Sequence, residues 1–512
     1  MLRTHVSRGV PAAMVAVLIG MGVVGSPGAA VAAPADRLEP AAVDRFVERY
    51  RVTAGMPGLV VAITHGTEVV HVKGYGSDST GTPMNARTPM RLASVSKSFT
   101  ALAVMQLAEA GRVQLDRPVR QYLPELRMAD PRVDTITVRQ LLNHSSGLTQ
   151  AAFPTANLPV VRSLREAVVQ LARARLGAEP GKAWNYHNAN YHVAARLVEV
   201  VSGERFDTYL RDRIFTPLGM DHTVTTTTTR DRVPGLAEGY TVVYGVPFSR
   251  PELSEFDGGI VGTAEDLTGW LISQLNGGRG PAGERVLSPA GVAELHRPSA
   301  PGGEYGLGWF SEDLPAGGRK VYHGGTGWTF SSQQVLLPGS GYGIAVLSNS
   351  RPAYVDDIQG ITEGLVTMAE GGKPAGPKRY RLISEAVVVA LTLATLGAHA
   401  VMVRRAERWA HRRRQRHTWT APLRLLPHVV TGTAAATFPT LMTAIGWDIN
   451  WSQLYFVAPS FAVWLTVLAI GAAAVAIVRL VRLVRLVLPT GSAAARGRVR
   501  IGSIDADNGY RD

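Results

Sequence analysis

Ser94-Val95-Ser96-Lys97-Ser98-Phe99 opens a stretch whose apolar side continues through Leu102, Met105 and Leu107. The pattern predicts a helix over Lys97 to Ala110 with Ser94 at its N-terminus. Residues three apart share a helical face, so the Lys97 amine lies one turn on from the Ser94 hydroxyl. Unpaired N–H groups and the positive end of the helix dipole gather at such a terminus, and they suit an attacking alkoxide. The amine accepts a proton only in its neutral form, which burial or nearby positive potential favours. Residue usage sharpens the reading, because of 53 basic residues only six are Lys. Arg serves wherever charge alone suffices, and Arg cannot give up its proton in a protein, so a Lys at this spacing points to proton transfer.

Outward from this helix, residues 37–370 read as a mixed α and β body. Gly58 to Thr64 is an apolar, β-branched run, His65-Gly66 a turn and Glu68 to Lys73 a second run, so the body opens with a hairpin. It closes on strand-like runs at Lys320 to His323, Phe330 to Leu337 and Tyr342 to Leu347, the last two joined by Pro338-Gly339-Ser340-Gly341. A helix follows from Val355 to Met368, and helical stretches such as Val193 to Val201 fill the middle. The expected fold is therefore α/β: an antiparallel sheet drawn from both ends of the domain, with a helical region inserted between them. The five threonines Thr225 to Thr229 read as an exposed strand or loop.

Composition limits the class. With 46% hydrophobic and 18% charged residues the chain is too apolar to be largely disordered, and with no Cys it has no disulfides, thiolate metal sites or cysteine nucleophile. The net charge of +13 lies at the ends, on residues 1–32, 404–424 and 479–512, and the body between is neutral. A neutral body argues against a nucleic-acid partner and for membrane topology.

Residues 1–32 read as a secretory signal peptide, with Arg3 and Arg8 ahead of an apolar stretch and Ala30-Val31-Ala32 at the cut. The domain then covers 33–370 and a Gly- and Pro-rich linker 371–385. Three apolar stretches follow at 386–403, 425–446 and 455–478, each long enough to cross a bilayer, with Pro427 and Pro439 able to kink the second. The Arg-rich loop 404–424 and the tail 479–512 belong in the cytosol by the positive-inside rule, which puts the loop 447–454 and the body outside. Arg479, Arg482 and Arg485 share a helical face and suit anionic lipid headgroups. The expectation is a multi-pass cell-membrane protein with its main domain extracellular.

In chain order, Ser94-x-x-Lys97, then Tyr186-His187-Asn188, then His323-Gly324-Gly325 resembles the serine β-lactamase and penicillin-binding-protein superfamily. Within it the chain is similar to the class C β-lactamase-like branch, which includes D-alanyl-D-alanine carboxypeptidases and esterases. Leu115-Asp116-Arg117-Pro118, Leu141 to Leu148, Pro217-Leu218-Gly219-Met220 and Tyr305-Gly306-Leu307-Gly308-Trp309 add to the likeness, which spans about residues 40–370 and leaves out the apolar stretches. The resemblance implies that Ser94 is the acylated nucleophile, Lys97 its proton partner and Tyr186 the base. It implies that Asn188 holds a substrate amide carbonyl, and Tyr and Asn two apart in an extended segment do project to one side.

The third motif would line the cleft, with Gly324 and Gly325 letting substrate backbone approach and the N–H groups of Ser94 and Thr326 forming an oxyanion hole. Many members carry Lys where this chain has His323, so anchoring of a substrate carboxylate there depends on a group that titrates near neutrality. His144 and His187 are read as structural. No H-E-x-x-H, phosphate-binding Gly-rich loop or G-x-S-x-G motif occurs, so neither metal nor cofactor is expected. The function implied is hydrolysis of an amide or ester through an acyl-enzyme, on a small-molecule or D-Ala-containing cell-wall substrate or a β-lactam. Two alternatives accompany it: an esterase without peptidase activity, and a receptor that is acylated at Ser94 without turnover.

Overall fold

A computed structural model describes residues 38–487 apart from 156, 257–258, 316, 352–356, 378, 415–421 and 445–448. The signal peptide read at 1–32 lies outside the described residues.

Among the described residues are eleven strands: β1 (Gly58–His65), β2 (Glu68–Gly76), β3 (Met90–Arg91), β4 (Val224–Thr225), β5 (Tyr240–Val243), β6 (Val246–Ser249), β7 (Ile260–Gly262), β8 (Phe310–Asp313), β9 (Arg319–Thr326), β10 (Ser331–Leu337) and β11 (Tyr342–Ser348). Six of them make one antiparallel sheet in the order β2-β1-β11-β10-β9-β8. The opening hairpin thus joins the closing strands, with Leu59 opposite Ser348 and His65 opposite Tyr342. β3, β7 and β4 form a small second sheet, and β5 and β6 a separate hairpin.

The unbroken apolar run of β1 follows from its central place, since a strand covered on both faces has no polar side. Val60, Ala62, Leu336, Ala345 and Leu347 face the large core shared with the inserted helices. Leu59, Val61, Ile63, Ile344 and Val346 face a second core under the helices Pro40–Ala54 and Asp357–Ala369. The inserted region carries the helices Ser96–Glu109, Asn188–Ser202 and Ala264–Leu275. An aromatic stack ties it to the sheet. Trp270 lies 3.8 Å from Phe99 and 6.2 Å from Trp309 between ring centres, and its indole N–H donates to Gln334 Oε1 at 2.9 Å. Gln334 in turn donates to Ser98 Oγ at 2.9 Å, so β10 is bonded to the helix that Ser94 precedes.

The threonine run is a correction to the sequence reading. Thr226 and Thr229 are buried, because Arg91 on β3 reaches across to Thr226 Oγ1 at 3.3 Å and donates to the Thr229 carbonyl at 2.7 Å.

Two helices among the described residues, Tyr380–Arg404 and Pro459–Leu486, are long and apolar enough to cross a membrane. They leave large apolar side chains such as Leu393 and Ile470 exposed, which water does not favour. They pack closely, since a Cβ at Gly471 would overlap the His399 ring, and Trp464 Nε1 donates to Thr395 Oγ1 at 3.1 Å. The stretch expected to be the second of three spans is instead two short helices, Leu426–Ala436 and Phe438–Ala444. Pro439 supplies no N–H, and its ring crowds the carbonyl one turn back, which breaks the helix there. The expected outer loop also contains a helix of its own, Trp451–Val457.

Trp270→Ala should cost about 3–5 kcal/mol through the cavity and the abandoned Gln334 amide, and Trp270→Phe less. Thermal unfolding of the detergent-solubilised protein checks this, with the larger fall in Tm expected for the alanine variant.

Candidate active site

Ser94 lies in a single tight helical turn, Ala93–Val95, which runs straight into the helix Ser96–Glu109. Ala93 takes a left-handed φ of 47°, a conformation that a residue with a Cβ holds only when its surroundings enforce it. Here Leu92 N–H donates to the Ile260 carbonyl at 2.8 Å, Ser332 Oγ donates to the Leu92 carbonyl at 2.7 Å, and Ser96 Oγ accepts from Ile260 N–H at 3.0 Å. These bonds clamp the turn between β7 and β10 and aim Ser94 into a cleft of about 240 Å³ that is lined by Lys97, Asn188 and Thr326 among others.

Lys97 is buried, and its Nζ is hydrogen-bonded to Ser94 Oγ at 2.9 Å. The same amine stands 4.9 Å from the centre of the Tyr186 ring and 5.7 Å from that of Tyr191. Aromatic faces therefore hold the amine against the hydroxyl. Tyr186 and Asn188 flank His187, which is extended at φ −147° and ψ 125° and caps the helix Asn188–Ser202. His187 points inward: its Nδ1 accepts from Ala189 N–H at 3.2 Å and its Nε2–H donates to the Phe153 carbonyl at 3.1 Å. Of its neighbours, Asn188 lines the cleft, and Tyr186 lays its ring against the Lys97 amine.

Of the third motif, Thr326, at the end of β9, lines the cleft, Gly325 lies against the Ser94 backbone, and His323 is buried on the same strand. His323 is 2% exposed, with Nδ1 against the Gly324 carbonyl at 2.7 Å and Nε2 accepting from the Tyr305 hydroxyl at 3.0 Å. Burial first, and the nearby Lys97 charge second, push its pKa down to about 3. A neutral ring with both nitrogens engaged offers no charge to a substrate carboxylate. Both glycines are required by packing: a Cβ at Gly325 would overlap the Leu92 carbonyl and Ser332 Oγ, and one at Gly324 the Gln333 amide.

Several cleft residues have no signal in the sequence reading. Arg91, Thr229, Glu252, Glu255, Trp328 and Arg351 all line it, brought in from distant segments. Glu252 accepts from the backbone N–H groups of Trp328 at 3.0 Å and Thr329 at 2.7 Å, which fixes the loop after β9. His144, read as structural, packs 4.3 Å from Tyr186, 5.2 Å from Tyr191 and 5.1 Å from Tyr305 between ring centres. Its Nδ1 accepts from His187 N–H and Asn190 Nδ2, and burial holds it well below its ordinary pKa. Lys97 is thus ringed by groups that stay neutral. A hydroxyl bonded to a buried amine at the mouth of a cleft is an arrangement able to attack an acyl carbon.

The comparisons with known proteins agree with this geometry. The β-lactamase family model matches residues 43–366. Protein flp of Staphylococcus aureus strain MW2 is 30% identical over 333 residues, which cover 62% of this chain and 64% of that protein. Penicillin-binding protein 4 of Amycolatopsis lactamdurans is 30% identical over 322 residues, covering 60% of this chain and 84% of its own. Among solved structures, a D-stereospecific amidohydrolase from Streptomyces sp. is 25% identical with a TM-score of 0.52, covering 64% of this chain and 98% of the other. The match thus spans a little under two thirds of the staphylococcal protein. A sheet closed by both ends of the domain, a helix-opening serine bonded to its lysine, and a family match over most of the described domain make this chain a member of the β-lactamase family of serine hydrolases.

Proposed function

We propose that the chain is a membrane-anchored hydrolase that cleaves an ester or amide through an acyl-enzyme at Ser94. The observation that carries this is the 2.9 Å bond between Lys97 Nζ and Ser94 Oγ inside the cleft. In this reading Ser94 Oγ attacks the acyl carbon and its proton passes to the Lys97 and Tyr186 pair. The carbonyl oxygen takes the negative charge against the N–H groups of Ser94 and Thr326, and the leaving amine or alcohol departs with the proton. Asn188 orients the acyl side, and water activated by Tyr186 releases the acid. The likeness to a penicillin-binding protein and to a D-stereospecific amidohydrolase favours a cell-wall substrate containing D-Ala. The neutral His323 favours esters and uncharged amides, and a substrate carboxylate in the cleft would meet Arg351 instead.

We further propose the orientation read from charge: the domain outside, the Arg-rich segment 404–424 and the tail inside, and the broken pair Leu426–Ala436 and Phe438–Ala444 completing a third crossing. A cytosol-dependent reporter fused after Asp512 should be active, and protease added to intact cells should release the catalytic domain. A protected domain would reverse the topology.

A fluorophosphonate probe should label the wild-type protein, and Ser94→Ala should abolish labelling and lower turnover by about 10³-fold or more. Lys97→Arg keeps the charge but not the proton acceptor, so a loss of about 10²-fold or more is expected. Full labelling of the alanine variant would remove Ser94 as nucleophile.

The pH dependence separates the two substrate readings. A histidine held near 3 is neutral throughout pH 5.5–8, so the ratio of D-Ala-peptide to acetate-ester hydrolysis should stay flat across that range. A ratio that falls as pH rises through about 6.5 would mean that His323 carries a proton and anchors the carboxylate.

A further inference from the structure

A second cavity of about 320 Å³ opens beside the catalytic cleft and shares Asn188, His192, Glu255 and Phe256 with it. Leu158, Val160, Val161 and Leu171 form its apolar side. Part of its wall comes from Asn450, Ser452 and Gln453, which belong to the turn between the apolar helices and not to the catalytic domain's own sequence. That turn is bonded to both sides of the opening. Gln453 Nε2 donates to Glu255 Oε1 at 3.3 Å, and Asn450 Nδ2 donates to Asn157 Oδ1 at 3.2 Å. Arg250 donates to the Tyr455 carbonyl at 3.1 Å with its guanidinium 3.5 Å above the Phe456 ring, and Phe456 packs edge-on against Trp328 of the cleft.

The turn also fixes where the cavity lies. Its helix, Trp451–Val457, ends two residues before the long apolar helix begins at Pro459, and Trp451 and Tyr455 pair at 5.9 Å, an aromatic placement typical of the membrane interface. The β5–β6 hairpin reaches the same depth. Tyr244 at its tip meets Thr392 in the first long helix at 3.1 Å, and its exposed Val246 and Phe248 are apolar. The cavity joins the Ser94 cleft, has one apolar side and is partly walled by that turn, which in the proposed topology lies at the outer membrane surface where lipid chains are at hand.

We propose that this cavity is a substrate subsite that takes the alkyl chain of an ester or amide drawn from the bilayer surface, with Asn450, Ser452 and Gln453 as specificity-determining residues. The assignment rests on the acyl-transfer reading of Ser94 and adds to it the class of substrate. Each methylene moved from water into such a site contributes at most about a fourfold gain in kcat/KM.

The full-length protein in detergent micelles, offered nitrophenyl acetate, butyrate, octanoate and decanoate, tests this. The wild type should prefer octanoate to acetate by kcat/KM. Ser452→Trp and Val160→Trp both replace exposed residues at the cavity wall, so folding is not at stake. Each should leave acetate hydrolysis within about twofold of wild type and lower octanoate and decanoate hydrolysis by about tenfold, the equivalent of two lost methylenes. Ser94-dependent turnover with the same chain-length profile in all three proteins, or a loss equal across the series, would overturn the subsite alone. Turnover that survives Ser94→Ala would overturn the catalytic reading and the subsite with it.

Discussion

The seam where β9 and β10 press on the Leu92–Val95 turn is the constraint on which the rest of the site depends. Ser332 Oγ holds the Leu92 carbonyl, Gly325 leaves the gap that this approach requires, and Ser96 Oγ binds back to β7. Ala93 would relax from its left-handed φ without them, at a gain of about 1–2 kcal/mol, and the direction of Ser94 would change. The sheet is therefore the template against which one strained turn is moulded, and the conjugate Trp270, Gln334 and Ser98 contacts carry the same rigidity one turn further along the helix.

Around that turn the electrostatics are simple. One buried lysine, Lys97, is surrounded by aromatic faces and by imidazoles that burial keeps uncharged, namely His144, His192 and His323. Other charged groups reach the cleft lining from distant segments, namely Glu252, Glu255, Arg91 and Arg351, the first and third of them buried. The inner pocket thus favours proton movement between Lys97 and its hydroxyl neighbours, and these groups handle whatever polarity a substrate brings.

Much of this was legible in the chain itself, and the reasons for the gaps are physical. Local patterns were enough for the hairpin at Gly58, the closing strands and the helix after Ser94, because alternation and turn residues act within a few positions. The placement of His323 was not legible. Its side depends on β9 pairing with β10 and on a tyrosine at 305, and neither fact resides in the motif His323-Gly324-Gly325. The threonine run misled for a similar reason, since it is Arg91, over a hundred residues earlier, that draws Thr226 and Thr229 inward. Length and hydropathy placed two long apolar helices correctly, but they are blind to a backbone break, and Pro439 splits a stretch that passes on composition.

The pairing of β1 with β11 also sets an order of events during synthesis. Leu59 finds its partner Ser348 only after about 290 further residues have been made, and a central strand with two apolar faces must be kept from other partners for that time. The first long apolar helix begins at Tyr380, a few tens of residues later. In the proposed topology, closure of the sheet and entry of the chain into a membrane are consequently near-simultaneous, so that delay in one leaves an aggregation-prone strand or an unsheltered helix waiting for the other.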